Sequence, residues 1–258
     1  NILMGAEARD ALTSSSSNVA IGYQALQEHT EGSRNMAIGY QAMVNTWDGS
    51  ADDSRESSDN VAIGYQSMGG AWTDSDADNA DKSEFNVAIG NYTLSGAMAS
   101  ASYNVAVGHD AGKSITTASG NIVIGYDCGD ELTTGGDNVL IGYGAGHSLV
   151  EGNKNVAVGY LTLDGGDEDS ACVAIGYQAL TAANVSDTGS AVESKNTAVG
   201  YQSCLAVSSG NFNTALGAGS ASSVNTGAGN TAVGINAGDT ITDGTYNTCI
   251  GRESNTSA

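Results

Sequence analysis

NVAIGYQAL at 18–26, NMAIGYQAM at 35–43, NVAIGYQSM at 60–68 and CVAIGYQAL at 172–180 are four readings of one phrase. Followed along the chain, the phrase opens a unit that occurs fourteen times. Its first residue is Asn1, Asn18, Asn35, Asn60, Asn86, Asn104, Asn121, Asn138, Asn155, Cys172, Asn196, Asn213, Asn230 and Asn247, so Asn fills thirteen of fourteen copies. Nine of the thirteen spacings are 17 residues; the others, 25, 26, 18 and 24, are 17 plus an insertion placed after the ninth position. A period this short is below what a propeller blade or a helical hairpin needs, and it matches one coil of a β-solenoid. The fold expected is all-β, a parallel β-solenoid of about fourteen coils forming a single domain over 1–258.

The first four positions carry the strand signal. Positions 2 and 4 are apolar, or Thr and then apolar, with Ala usually between them, as in Val19, Ala20 and Ile21. Alternation at this length points to a strand of four to five residues. The larger Val and Ile are assigned to the core, and the Ala methyl to an outer face that lets another surface approach.

Position 5 is Gly in every copy: Gly5, Gly22, Gly39, Gly64, Gly90, Gly108, Gly125, Gly142, Gly159, Gly176, Gly200, Gly217, Gly234 and Gly251. An obligate Gly inside a β pattern marks a positive φ or a close backbone approach, here a corner between two short strands. A second Gly, at position 15 in Gly32, Gly135, Gly152, Gly210, Gly227 and Gly244, reads as the closing turn.

The rest of the unit has two versions. Leu26, Met43, Met68, Leu94, Leu163 and Leu180 stand at position 9; where that position is Gly112, Gly129, Gly146 or Gly238, an aliphatic residue appears at position 12 as Ile115, Leu132, Leu149 or Ile241. One core plug replaces another, so both versions fit the same cross-section. Stacked at the ~4.8 Å strand spacing, fourteen coils would make a rod of roughly 65 Å. Equivalent residues would then form ladders: the Asn column as a structural amide ladder, and Tyr23, Tyr40, Tyr65, Tyr126, Tyr143, Tyr160, Tyr177 and Tyr201 as an aromatic stack.

Composition bounds the function. The 29 acidic and 8 basic residues give a formal charge of −21, with no basic stripe to neutralise phosphates, so nucleic acid is not an expected partner. No apolar run of eighteen residues exists to insert in a membrane. Residue 1 is Asn inside a repeat, which reads as a piece of a longer fibre. Cys128, Cys172, Cys204 and Cys249 fall at four different repeat positions, which reads as four free buried thiols.

The phrases quoted above resemble the NTA-(V/I)-GYQAL repeats of bacteriophage tail fibres and are similar, more distantly, to the head repeats of trimeric autotransporter adhesins. That resemblance runs along the whole chain through its repeats. It implies a left-handed, β-roll-like solenoid in each chain, three chains associated side by side, and an extracellular place on a virion fibre or a cell surface.

Insertions grow out of a solenoid without disturbing the stack, so recognition is expected in them. Three are long, near 44–59, 69–85 and 181–195. The first two contain Trp47 and Trp72 among Asp residues, candidate rings for stacking on a cell-surface glycan or receptor, unless each simply packs its own loop. Asp74, Asp76 and Asp78 alternate like the opening of a Ca²⁺ loop, although Asn79 stands where such a loop has Gly and Phe85 where it has Glu. Asp164, Asp167, Glu168 and Asp169 form a second acidic cluster. His29, His109 and His147 fall at positions 12, 6 and 10 and make no metal-spacing motif, and no nucleophile or phosphate-loop motif is present. The chain is therefore expected to be a non-catalytic structural and adhesive fibre segment, probed best as a homotrimer; the alternative is an extracellular filament subunit that joins end to end.

Overall fold

The computed structural model describes residues 1–8, 15–27, 32–45, 57–70, 72, 82–165, 168–182 and 194–256. Among them there is no helix. The fold is an all-β solenoid of fourteen parallel strands, each of three residues, in two compact units, 1–134 and 135–258. The first unit holds β1 (Ile2–Met4), β2 (Val19–Ile21), β3 (Met36–Ile38), β4 (Val61–Ile63), β5 (Val87–Ile89), β6 (Val105–Val107) and β7 (Ile122–Ile124). The second holds β8 (Val139–Ile141), β9 (Val156–Val158), β10 (Val173–Ile175), β11 (Thr197–Val199), β12 (Thr214–Leu216), β13 (Thr231–Val233) and β14 (Thr248–Ile250).

Within each unit every strand pairs in parallel with the next in the chain, and equivalent residues face one another: Val19 with Met36, Ala20 with Ala37, Ile21 with Ile38. The insertions do not shift this register, because Met36 still meets Val61 across a 25-residue spacing. Each coil bonds in both directions. The Val19 N–H donates to the Asn35 carbonyl of the next coil (2.8 Å), and the Gly39 N–H donates back to Ile21 (2.8 Å).

The strand alternates as expected but in the opposite phase. Ala20, Ala37, Ala62, Ala88, Ala106, Ala157 and Ala174 are fully buried, whereas the Val and Ile on either side are half-buried or exposed. The assignment of Val and Ile to the core and Ala to the outside is therefore reversed. The cause is space: where Leu or Met fills the narrow coil from position 9, the interior opposite the strand takes only a methyl, and the larger Val123 and Leu140 are buried in coils whose position 9 is Gly129 or Gly146.

That plug is where the spacing placed it. Leu26, Met43, Met68, Leu94, Leu163 and Leu180 are fully buried, and so are Ile115, Leu132 and Leu149 in the other version. A Cβ added to Gly112 would lie 3.0 Å from Ile115 Cδ1, so the position-12 side chain occupies the volume left by the missing position-9 one. In the coil from Asn138, Leu140 replaces the usual Ala, and its two methyls lie 3.0 Å from the place of a Gly146 Cβ. Interiors tolerate little overpacking, so these residues exchange volume with one another.

The expected second strand is absent from the described part of the coil; the segment after Gly is a run of turns. Gly39 has φ +138° and packs against Gly64, whose carbonyl carbon would be 2.7 Å from any Cβ at position 39. No L-residue fits there. Beyond it, Gln41 (φ 54°) and Met43 (φ 53°) adopt the left-handed region, at a cost of roughly 1–2 kcal/mol each for a non-glycine residue. Inter-coil bonds offset that cost. Gln41 N–H donates to Tyr23 of the previous coil (2.8 Å) and Met43 N–H to Ser67 of the next (3.0 Å).

Candidate functional site

The Asn column is an internal ladder. Asn18 Oδ1 accepts the Asn35 main-chain N–H (2.8 Å), while Asn18 Nδ2 donates to the Gly32 carbonyl in the closing turn of its own coil (2.8 Å). The same pair of bonds recurs at Asn35, Asn60, Asn86, Asn155, Asn196, Asn213 and Asn230, all buried. Asn104 and Asn121 carry the column through the end of the first unit (3.0 Å from Asn121 N to Asn104 Oδ1), Asn138 opens it in the second and Asn247 ends it. These residues are structural. Amides buried this deeply must satisfy every polar atom, and this one satisfies two backbone groups as well.

The molecular surface is shaped by what the reversed strand phase turns outward. Position 4 is Ile, Val, Leu or Met in all fourteen copies; position 2 is Val, Ile or Met in the first ten and Thr in Thr197, Thr214, Thr231 and Thr248. Neither position carries a charge anywhere, in a chain of net charge −21. Leu216 is 50% exposed, and Ile89, Ile122, Ile124 and Ile175 are exposed too. Each unit thus presents a ladder of aliphatic side chains in register, two columns wide. Single exposed apolar residues need no explanation, but a contiguous band of them marks an interaction surface.

Next to that band, across the Gly column, runs the aromatic stack. Tyr40 and Tyr65 lie 5.1 Å apart and nearly parallel, as do Tyr160 and Tyr177 (5.0 Å) and Tyr177 and Tyr201 (5.3 Å). Each ring covers its neighbours with its faces and leaves its edge in solvent, a geometry worth ~0.5–1.5 kcal/mol per pair. Beside them the position-7 glutamines form a second ladder: Gln41 Nε2 donates to Gln24 Oε1 (2.7 Å) and Gln66 Nε2 to Gln41 Oε1 (2.8 Å).

At two consecutive coils these columns change chemistry. His109 replaces Tyr and stacks on Tyr126 (5.3 Å), and Asp110 and Asp127 replace Gln. One ligand atom from each of His109, Asp110 and Asp127 lies within 4.8 Å of the others, and His109 Nδ1 is 2.9 Å from Asp110 Oδ2. Sequence spacing within one coil does not reveal the cluster, because Asp127 comes from the next coil. Writing the copies one above another does, since His and Asp then stand out from columns of Tyr and Gln.

Of the residues singled out in the sequence, Trp47, Asp74, Asp76, Asp78 and Asp167 lie outside the described residues. Trp72 is only 4% exposed, so its ring is packed rather than offered to a sugar. The second acidic cluster is not one site. Asp164 lies toward His147 (3.8 Å), whereas Asp169 is buried, accepts a hydrogen bond from Ser194 Oγ through Oδ1 and has no hydrogen-bond partner for Oδ2 among the described residues. Burial pushes the Asp169 carboxyl up to about 6. All four cysteines are buried, and burial raises the Cys172 and Cys204 thiols to about 12, well removed from a reactive thiolate. Searched against known protein families, curated proteins and solved structures, the chain matches none.

Proposed function

We propose that the chain is a non-catalytic structural segment of an extracellular fibre, a phage tail fibre first and a bacterial surface adhesin second, in which three copies associate side by side. The observation that carries this reading is the uncharged band at positions 2 and 4 of every coil, aliphatic throughout at position 4 and in the first ten coils at position 2. A chain of −21 charge keeps its carboxylates off these two columns, while the rest of its surface repels further copies. Burying aliphatic surface contributes about 25 cal/mol per Å², and a band repeated at every coil accumulates that gain over many small contacts. The outward Val and Ile take the role that the sequence reading gave to Ala.

In this reading the insertions project from the assembled segment and meet a cell-surface glycan or receptor, with Trp47 as the ring to test first. The alternative, an end-to-end filament subunit, uses the open edges of a strand stack rather than its outer face. Electron microscopy of the purified chain separates the two: discrete particles of fixed length support side-by-side association, and filaments that lengthen with concentration support the alternative.

A further inference from the structure

Asp110 and Asp127, the two carboxylates that follow one another at position 7, pose a chemical problem that the rest of the column does not. Where Gln residues follow one another in that column, the amide N–H₂ donates to the oxygen of the preceding coil. Asp110 and Asp127 stand in the same column with acceptors only. Their stacking is fixed by the backbone, because Asp127 N–H donates to the His109 carbonyl (3.1 Å) and Asp110 N–H to Asn91 (3.1 Å). Two carboxylates held in register repel one another, and a cation between them relieves that repulsion. Lys113 lies 3.9 Å from Asp110 Oδ1 and 3.8 Å from Asp130 Oδ1, which leaves Asp110 Oδ2 turned to the His109 ring.

We propose that His109, Asp110 and Asp127 bind one divalent first-row transition ion, with water completing the coordination. The donor set decides the class: an imidazole nitrogen with two carboxylates suits Zn²⁺ and its neighbours, whereas Ca²⁺ takes six to eight oxygens. The separation agrees with this. In a tetrahedral site bonds of about 2.0–2.1 Å set two donors roughly 3.4 Å apart, so the His109–Asp110 pair, 2.9 Å apart, needs to open only slightly. The ion replaces the direct contact between those two groups, and a small closing movement of Asp127 completes the triad within its 4.8 Å spread. His109 is exposed and both Asp side chains are partly so, which gives ion and water a way in. Such an ion joins two successive coils.

Isothermal titration of the full chain with Zn²⁺ tests this, against a variant carrying His109→Tyr, Asp110→Gln and Asp127→Gln. Those changes restore the residues found in other coils, so the variant keeps its fold, which circular dichroism verifies. The wild type is expected to bind one equivalent in the micromolar range, and the variant to bind it roughly tenfold or more weakly. Nitrogen-15 spectra of the imidazoles add a second readout: Zn²⁺ is expected to shift the His109 resonances and leave His29 and His147 in place. No uptake, equal uptake by the variant, or shifts confined to another histidine would overturn the proposal.

Discussion

At the scale of single residues, Cys172 and Asp169 show how the ladder treats an exception. Cys172 stands in the Asn column: its own N–H donates to Asn155 Oδ1 (2.9 Å), but the Asn196 N–H above it meets only the sulfur, a weak acceptor. Cys172→Asn restores an oxygen there and is expected to stabilise the protein by about 1 kcal/mol, seen as a higher denaturant midpoint at unchanged slope. Asp169 is buried with one oxygen unpaired among the described residues, and its folded-state pKa lies near 6 against an ordinary value of 3.8. Because the folded chain holds this proton more tightly, stability falls as pH rises from about 4 through about 6 and then levels off, by up to about 3 kcal/mol. Asp169→Asn removes that dependence, so the stability difference between variant and wild type should grow across this window and stay constant above it. A constant difference from pH 4 to 7 would contradict the burial argument.

At the scale of the strand, the two faces respond oppositely to substitution. Ala157 points into a full interior and Val158 points out. Ala157→Leu is expected to destabilise by roughly 3 kcal/mol or more through overpacking, whereas Val158→Thr should change the stability of the fold by no more than about 0.5 kcal/mol. Thermal unfolding of both variants checks this, and the reverse order would restore the phase first read from the sequence. How that reading went wrong is instructive. The Asn and Gly columns, the 17-residue period and the exchange of Leu26-type plugs for Ile115-type plugs were all legible, because each is a constraint repeated in one dimension. Alternation defines two faces but does not label them, and a one-residue slip exchanges them all. The usual rule that the larger aliphatic goes inside fails here because Leu26 or Ile115 already fills most of the coil, so the inward residue is Ala20 or Ala106 and is larger, as Val123 or Leu140, beside Gly129 or Gly146. The second strand failed for a related reason. YQAL reads as extended, yet its Gln and Leu positions take left-handed conformations that inter-coil hydrogen bonds sustain. The His109 cluster needed two coils to be seen together, while the acidic Asp74–Asp78 run looked like a site within one stretch of chain.

For the molecule as a whole, the charge and the strand face belong to one account. Carboxylates in large excess repel copies of the chain, and an uncharged ladder at positions 2 and 4 lets copies meet along one surface only. Added salt should therefore strengthen association by screening the repulsion without weakening aliphatic burial. Sedimentation equilibrium at micromolar concentration tests this most directly. The account predicts three times the 25.8 kDa chain mass for the wild type, and a single chain mass for the folded double variant Ile175→Asp and Leu216→Asp. A wild type that sediments as one chain, or a double variant that remains three, would contradict it.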